Sequence, residues 1–377
     1  MKILEISKYF PPEYGGIETH VYHLSLGLSQ LGHKVTVLCA TKNKNKIETV
    51  KNVLVIRFKE IGKVFNAPVV FGQLLRTAQS DCNVIHIHFP NPLGELTALL
   101  ISGTKKKKVV VTYHNDVIPQ NNFQSFLLYF YEHVITLPLL KRANAIIVHS
   151  PHYVNESSLL KKFKSKVRIV PSGVDIKRFR PNLNVQNIKK GYGEDYKLIM
   201  FAGRLVQYKG IKYLIKAMPY ILKKVPKSKL LIVGKGPLKS SLILQVQRLG
   251  LQDNITFIGN LNDQEYPLYM GACDVLVLPS VSRQEGFGLT LLEAMACSKP
   301  VVGSKISAIP YIIDDGMSGL LAEPANPIDI AEKICKIITN ESLAKKLGDN
   351  GRKKVEKHFE WSVIYCQVDE LLRGLRS

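Results

Sequence analysis

Short apolar runs alternate with amphipathic segments along most of the 377 residues of the chain. Val35 to Leu38, Val84 to Ile87, Val109 to Val111 and Ala145 to Val148 read as strands, as do Lys229 to Val233 and Val275 to Leu278. Pro300 to Gly303 reads as a shorter edge strand, and Met1 to Ile6 alternates into a first one. Runs this short, separated by segments of helical period, are what sheets wrapped by helices require, so an α/β fold with parallel strands is predicted. The pattern lapses from Pro181 to Tyr196, a polar stretch, which predicts one domain over residues 1–185 and a second over 196–360. Phe123 to Leu140 departs from the plain helical pattern: it carries Phe123, Phe126, Tyr129, Phe130 and Tyr131, contains Pro138, and ends in Lys141 and Arg142. It is too short and too interrupted by Glu132 and His133 to span a bilayer. Two readings stand, a helix lying in a membrane interface and a long helix packed on its own sheet.

Two loops carry candidate chemistry. Glu285-Gly286-Phe287-Gly288-Leu289-Thr290-Leu291-Leu292-Glu293 places two carboxylates around glycines that lead straight into an apolar helix. Gly286 and Gly288 let backbone approach a ligand, and the amides of Leu289 and Thr290, opening a helix, face an anion such as a diphosphate. Glu285 is placed to accept hydrogen bonds from sugar hydroxyls, and Glu293, one turn on, from a ribose. The bland alternative makes Glu285 a solvated loop residue and Glu293 an ordinary helical glutamate. The second loop tips the balance: Gly203-Arg204-Leu205-Val206-Gln207-Tyr208-Lys209-Gly210 follows the strand Leu198-Ile199-Met200 and precedes a helical pattern. Arg204 and Lys209 on one loop can clamp a diphosphate, the first through its planar fork and the second as a point charge.

In this order and context the motifs resemble the family 4 glycosyltransferases. The resemblance covers nearly the whole chain and includes Tyr9-Phe10-Pro11-Pro12 with Gly15-Gly16, Thr112-Tyr113-His114-Asn115-Asp116, Pro171-Ser172-Gly173-Val174-Asp175, and Val233-Gly234-Lys235-Gly236-Pro237. It implies the GT-B fold, two facing Rossmann-like domains with a final helix, from about Trp361, crossing back onto the first. The first domain would bind the acceptor and the second the nucleotide sugar. It further implies a retaining hexosyl transfer in which the departing diphosphate takes the acceptor's proton on the same face. Arg204, Lys209, Glu285 and His114 would be the catalytic set. Gly15, Gly16, Gly203, Gly234, Gly236, Gly286, Phe287, Gly288, Leu289, Thr290 and Glu293 would bind the donor, with Asn260 a weaker neighbour. Glu18, Thr19 and His20 would touch the acceptor, a glycan or a lipid-linked molecule. No metal or other cofactor is expected, because cationic groups and helix amides replace it, and the chain contains no Asp-x-Asp. Overall likeness favours mannose from GDP-mannose, with UDP-glucose or UDP-N-acetylglucosamine as alternatives; outside the class stands a non-catalytic basic binding protein of the same fold.

Charge changes the picture in one respect. The chain carries +22, and residues 1–190 hold 27 Lys+Arg against 11 Asp+Glu, most of the excess. Its densest parts are Lys105 to Lys108, and Lys161, Lys162, Lys164, Lys166 and Arg168. Such a field attracts anionic headgroups or a lipid diphosphate, or serves solubility alone. Nucleic acid is not expected, since the lysine runs lack interleaved aromatics and the glutamates would repel phosphates. The six cysteines have no paired spacing, so neither a zinc site nor a disulfide scaffold is expected. Charge interrupts the N-terminus too early for a signal-peptide core, which predicts a cytoplasmic protein with peripheral attachment to the membrane's cytoplasmic face as an added expectation.

Overall fold

The computed structural model describes residues 1–13, 15–64, 67–105, 107–119 and 121–375. The chain forms two compact units, one of Met1–Ser172 with the segment from Trp361 onward, the other of Gly173–Glu360.

The first unit is built on a nine-stranded sheet. Its strands are β1 (Lys2–Ile6), β2 (Lys34–Thr41), β3 (Lys46–Val50), β4 (Val53–Val64), β5 (Ala67–Val70), β6 (Val84–Phe89), β7 (Lys108–Tyr113), β8 (Ala145–Val148) and β9 (Val167–Ile169), in the order β3-β4-β2-β1-β6-β7-β8-β9, with β5 paired to β4. Strands β3 and β5 run antiparallel to β4. The alternating pattern did not predict them, yet the turn joining β3 to β4 is legible: Lys51 and Asn52 both adopt positive φ, 45° and 71°, as a tight hairpin turn requires. The helix Trp361–Gly374 packs against Gly16–Gln30, and a side chain at Gly27 would overlap the Tyr365 ring.

The second unit has a six-stranded sheet, β10 (Lys197–Ala202), β11 (Ser228–Val233), β12 (Ile255–Gly259), β13 (Val275–Leu278), β14 (Val301–Ser304) and β15 (Leu320–Ala322), ordered β12-β11-β10-β13-β14-β15. Every pairing in it is parallel. A sheet covered on both faces needs apolar residues at consecutive positions, and Val275, Leu276, Val277 and Leu278 are all buried.

Three expectations are corrected. The boundary lies at Ser172/Gly173, not after residue 185. The amide of Val174 donates to the Phe359 carbonyl at 2.8 Å, and the polar stretch contains a helix, Gln186–Tyr192, packed on Glu265–Ala272. That helix buries no residue fully, so no apolar period marks it. The run at Val301 is not an edge, since β15 lies outside it. Finally, Phe123 to Leu140 is not one regular helix: Asn122–Tyr131 is α-helical, Glu132–Thr136 is a π-turn, and Leu137–Arg142 resumes the α-helix with Pro138 in its first turn. The Leu137 amide bonds to the Glu132 carbonyl, so the wide turn carries the chain up to the proline, which lacks an amide of its own.

Candidate active site

In the second sheet β10 lies between β11 and β13, and the chain leaves β10 toward one side and β13 toward the other. Loops at the carboxyl ends of such strands bound a crevice. These two loops are the ones singled out in the sequence, and the Val281 amide joins them by donating to the Tyr208 carbonyl at 2.8 Å. Lys209 Nζ donates to Glu285 Oε2 at 2.7 Å, and Ser280 Oγ donates to the same oxygen at 2.6 Å. Ser307, after β14, donates its Oγ to the Glu285 carbonyl at 2.8 Å. It does so from left-handed backbone, φ 55°, unusual for a non-glycine residue. Burial works against the Lys209 ammonium, yet the Glu285 carboxylate, Tyr208 and the hydrogen bond outweigh it and hold Lys209 above the ordinary lysine value. Arg204 is exposed and makes no ion pair among the described residues.

Gly288 caps the helix Leu289–Ala296 at φ 99°, and among the described residues no side-chain hydrogen bond caps its first turn. Leu289 and Thr290 therefore open the helix with donors available to an anion. Tyr266 donates its hydroxyl to Glu293 Oε2 at 2.6 Å. Burial raises the Glu293 carboxyl to about 7, against the opposing pull of Tyr266, Arg178 and Lys209. Phe287 does not present its side chain to a ligand: it is buried edge-on to Phe359 at 6.1 Å, and only its backbone belongs to the loop. Gly234 and Gly236 serve packing between loops, because a Cβ at either would overlap the carbonyl oxygen of Gly203 or of Leu205. The bonds Gly203 N to Val233 O and Leu205 N to Lys235 O, both 3.0 Å, hold that contact. Asn260 is exposed just past β12.

Gly210 matters most for shape. Its φ is +67°, and a Cβ there would overlap the Pro279 carbonyl oxygen. Gly210→Ala is expected to destabilise the chain by about 1–3 kcal/mol from backbone strain alone, with more from the overlap. Urea unfolding checks this, and wild-type stability would show that the loop closes without the close approach.

The candidate residues of the first unit lie at the carboxyl ends of its strands. Gly15 precedes the helix Gly16–Gln30, the Glu18 carboxylate folds back over it, and the Thr19 amide bonds to its carbonyl at 2.9 Å. Arg57 on β4 steadies the preceding segment, donating to the Phe10 carbonyl at 3.0 Å and to Glu48 Oε1 at 2.7 Å. His20 is buried, with Nδ1 2.9 Å from Ser172 Oγ.

His114 is not placed as expected. Both its ring nitrogens are engaged inside the protein, Nε2 with His88 Nδ1 at 3.1 Å and Nδ1 with His149 Nε2 at 2.9 Å. Neither is left for a sugar hydroxyl, so any contact with substrate is made by its ring carbons or backbone. The rings continue a buried path: His88 Nε2 lies 2.9 Å from Glu5 Oε2, His86 Nδ1 3.1 Å from Glu5 Oε1, His86 Nε2 2.7 Å from Thr112 Oγ1, and His149 Nδ1 3.0 Å from the Val170 carbonyl. Burial lowers His88 and His149 to about 4 and His20 and His114 well below the usual value. Burial would raise Glu5, but the charge and hydrogen bonds of His86 and His88 bring it down to about 2. Donor atoms of Glu5, His86 and His88 converge within 4.8 Å. The nitrogens face the carboxylate at hydrogen-bond distances, as in a proton-bonded array.

Sequence reasoning missed Ser280, Ser307, Tyr266, Glu5, His86, His88 and His149. Only the histidines left a signal, His86 and His88 standing two apart on one strand and therefore on one face.

The glycosyltransferase family 4 model matches residues 14–178, and the glycosyl transferases group 1 model matches residues 184–354. A glycosyltransferase of Methanocaldococcus jannaschii, otherwise uncharacterized, is 31% identical over 379 residues, covering 100% of this chain and 99% of that one. The O-antigen chain mannosyltransferase C of Escherichia coli is 29% identical over 367 residues, 95% of this chain and 94% of that one. Among solved structures, sucrose-phosphate synthase from Thermosynechococcus elongatus superposes with a TM-score of 0.83 at 24% identity, covering 99% and 98% of the two chains. Anabaena HepE in complex with UDP-glucose does so at 0.79 and 19% identity, over 99% and 100%. The fold is GT-B. The chain belongs to the family 4 glycosyltransferases, and it is a glycosyltransferase.

Proposed function

We propose that the chain is a retaining, metal-independent hexosyltransferase, with mannose from GDP-mannose as its first-choice donor and a glycan or lipid-linked acceptor. The observation that carries this reading is the Lys209–Glu285 pair at the strand-order reversal, beside a helix whose first amides are uncapped. In the reaction the anomeric carbon's bond to the diphosphate oxygen breaks, the acceptor oxygen bonds to that carbon on the same face, and the acceptor's proton passes to the departing diphosphate. Arg204, Lys209 and the amides of Leu289 and Thr290 stabilise the charge developing on the leaving group, the task a divalent cation performs in other enzymes. Glu285 orients sugar hydroxyls and Glu293 the ribose. Gly15, Gly16, Glu18, Thr19 and His20 keep the roles that the family likeness implies.

The mannosyl reading draws on the Escherichia coli relative and on a GDP-mannose-dependent α-(1-6)-phosphatidylinositol monomannoside mannosyltransferase of Mycolicibacterium smegmatis, 29% identical over 215 residues. HepE bound to UDP-glucose keeps a uridine donor as the alternative. The test is hydrolysis of a panel of sugar nucleotides by the purified chain, followed by proton NMR of the product anomer with and without EDTA. Turnover of GDP-mannose with α product, unaffected by EDTA, is expected. Turnover of UDP-sugars only would replace the donor, an inverted anomer would replace the mechanism, and no turnover at all would favour the binding-protein reading.

Peripheral attachment to an anionic cytoplasmic membrane face is part of this reading. Among the described residues no helix is long and apolar enough to cross a membrane. Phe123, Phe126, Tyr129 and Phe130 are 54–71% exposed, while Leu128 and Tyr131 on the same helix are buried. Lys161, Lys162 and Lys164 are exposed in the same unit; Lys106, in the middle of the other lysine run, lies outside the described residues. Basic residues near such a surface contribute about 1 kcal/mol each, screened by salt, whereas inserted aromatics resist salt. Sedimentation with phosphatidylglycerol vesicles should therefore fall partly at high salt for wild type and fully for Phe126→Ser/Phe130→Ser. Equal, negligible sedimentation with anionic and neutral vesicles at low salt would leave the charge as a solubility feature.

A further inference from the structure

The path from Glu5 to Val170 has a direction, because the Val170 carbonyl can only accept. His149 Nδ1 must then carry a proton, at 3.0 Å from that oxygen. If the rings are neutral, His149 Nε2 is bare and accepts from His114 Nδ1 at 2.9 Å. His114 Nε2 is bare in turn and accepts from His88 Nδ1 at 3.1 Å. That leaves His88 Nε2 bare, facing Glu5 Oε2 at 2.9 Å, two acceptors with nothing between them. Neutral imidazoles bring one proton each, and the path from Val170 to Glu5 has one more link than rings. Reversing the order only moves the gap to Val170.

We propose that this path holds one proton beyond those of neutral rings, shared between His88 Nε2 and Glu5 Oε2, and that Glu5, His88 and His149 are thereby positioning residues for His114. The positioning half rests on the reading of His114 as a substrate-touching residue; the proton does not. Burial, with repulsion from His86, outweighs the pull of Glu5 and places His88 at about 4, which by itself would strip this proton at neutral pH. The link count outweighs it, because Glu5, His86 and His88 are wholly buried and no water reaches between the lone pairs. Without the proton, either Glu5 is a buried anion facing the bare His88 Nε2 and steadied by His86 Nδ1 alone, or the order reverses and a bare His149 Nδ1 faces the Val170 carbonyl, and the added proton removes both costs. The groups facing the path are His86 and Thr112 from the neighbouring strands, His20 with ring centroids 4.9–5.8 Å from His149, His114 and His88, and Trp361 at 5.3 Å from His20. Burial and repulsion from the neighbouring rings hold His114 well below the usual value, which works against a second added proton.

Glu5→Gln separates the possibilities, since its amide N–H can donate to bare His88 Nε2 and its oxygen can accept from His86. Every link is then filled by neutral rings. Long-range ¹⁵N–¹H spectra of the full chain, labelled at histidine, should show His88 protonated on both nitrogens at pH 7.5 in wild type and on Nδ1 only in E5Q, with His114 an Nδ1–H tautomer in both. The difference in unfolding free energy, wild type minus E5Q, should fall with a one-proton slope as pH rises above 6.5, because the folded chain keeps a proton that an unfolded histidine releases. A neutral His88 in wild type, a difference that rises with pH, or one equivalent of zinc retained by the chain after incubation and desalting would overturn the proton. For the positioning half, His149→Phe, which removes the acceptor of His114 Nδ1–H, should drop kcat on the order of tenfold with KM little changed, while E5Q, which keeps every link filled, should lose less. The expected spectrum combined with wild-type kcat and KM in folded His149→Phe across pH 6 to 9 would overturn that half alone.

Discussion

Arg204→Ala and Lys209→Ala are each expected to lower turnover by roughly two to four orders of magnitude, since each removes a charge-assisted contact to a leaving diphosphate. The two should differ in stability. Arg204 is exposed and makes no ion pair among the described residues, so its loss should leave unfolding unchanged. Lys209 and Glu285 have side chains only 12% and 6% exposed, and removing the lysine leaves a buried carboxylate held, among the described residues, by Ser280 alone. Breaking one half of a buried pair costs about 3–5 kcal/mol. Lys209→Ala with Glu285→Gln should recover much of that stability but no activity, which separates the structural loss from the chemical one. Single-turnover rates with a saturating donor and urea unfolding are the measurements. Near wild-type turnover in either folded single variant would remove this loop from the phosphate site.

Glu285→Ala and Glu293→Ala should fail differently. The first should depress kcat by about two orders of magnitude or more, because the carboxylate holds sugar hydroxyls in reacting geometry. The second should weaken nucleoside diphosphate binding, and it should do so in a pH-dependent way. The Glu293 carboxyl is raised to about 7. Only its ionised form accepts two ribose hydroxyls, so affinity should rise as pH goes from 6 to 8, with up to tenfold per unit below the pKa. Glu293→Gln should flatten that rise, and the difference from wild type cancels the phosphate's own titration. Stability runs the opposite way. The folded chain holds a proton on Glu293 that the unfolded one loses above about 4.5, so this contribution is present at low pH and is lost as pH rises through about 7. Calorimetric titration across this range is decisive, and equal nucleotide affinity in wild type and Glu293→Ala at pH 8 would remove the ribose role.

Much of this site was legible because its parts are local. A strand, a glycine with Arg204 and Lys209, and then a helix lie within one short stretch, and so do Glu285, Gly288 and the helix opening at Leu289. Backbone conformation and helix termini depend on neighbours in sequence, so residue order alone determined that these loops offer cations, carboxylates and uncapped amides. Apolar period determined the α/β class for the same reason, and it failed where a helix buries little, as at Gln186–Tyr192. Tertiary structure alone decided the rest. Ser307 and Tyr266 reach Glu285 and Glu293 from the loop after β14 and from the helix Glu265–Ala272, and only the tertiary fold brings them there, whereas Ser280 stands five residues before Glu285 on the same loop. Gly234 and Gly236 look like ligand glycines in the chain but are required by the carbonyls of Gly203 and Leu205, a contact between two loops. Glu5, His86, His88, His114 and His149 come from four strands or their ends, with His86 and His88 both on β6. Parallel pairing of β1, β6, β7 and β8 aligns their alternating side chains on one face, and burial there turns scattered titratable residues into a single coupled path.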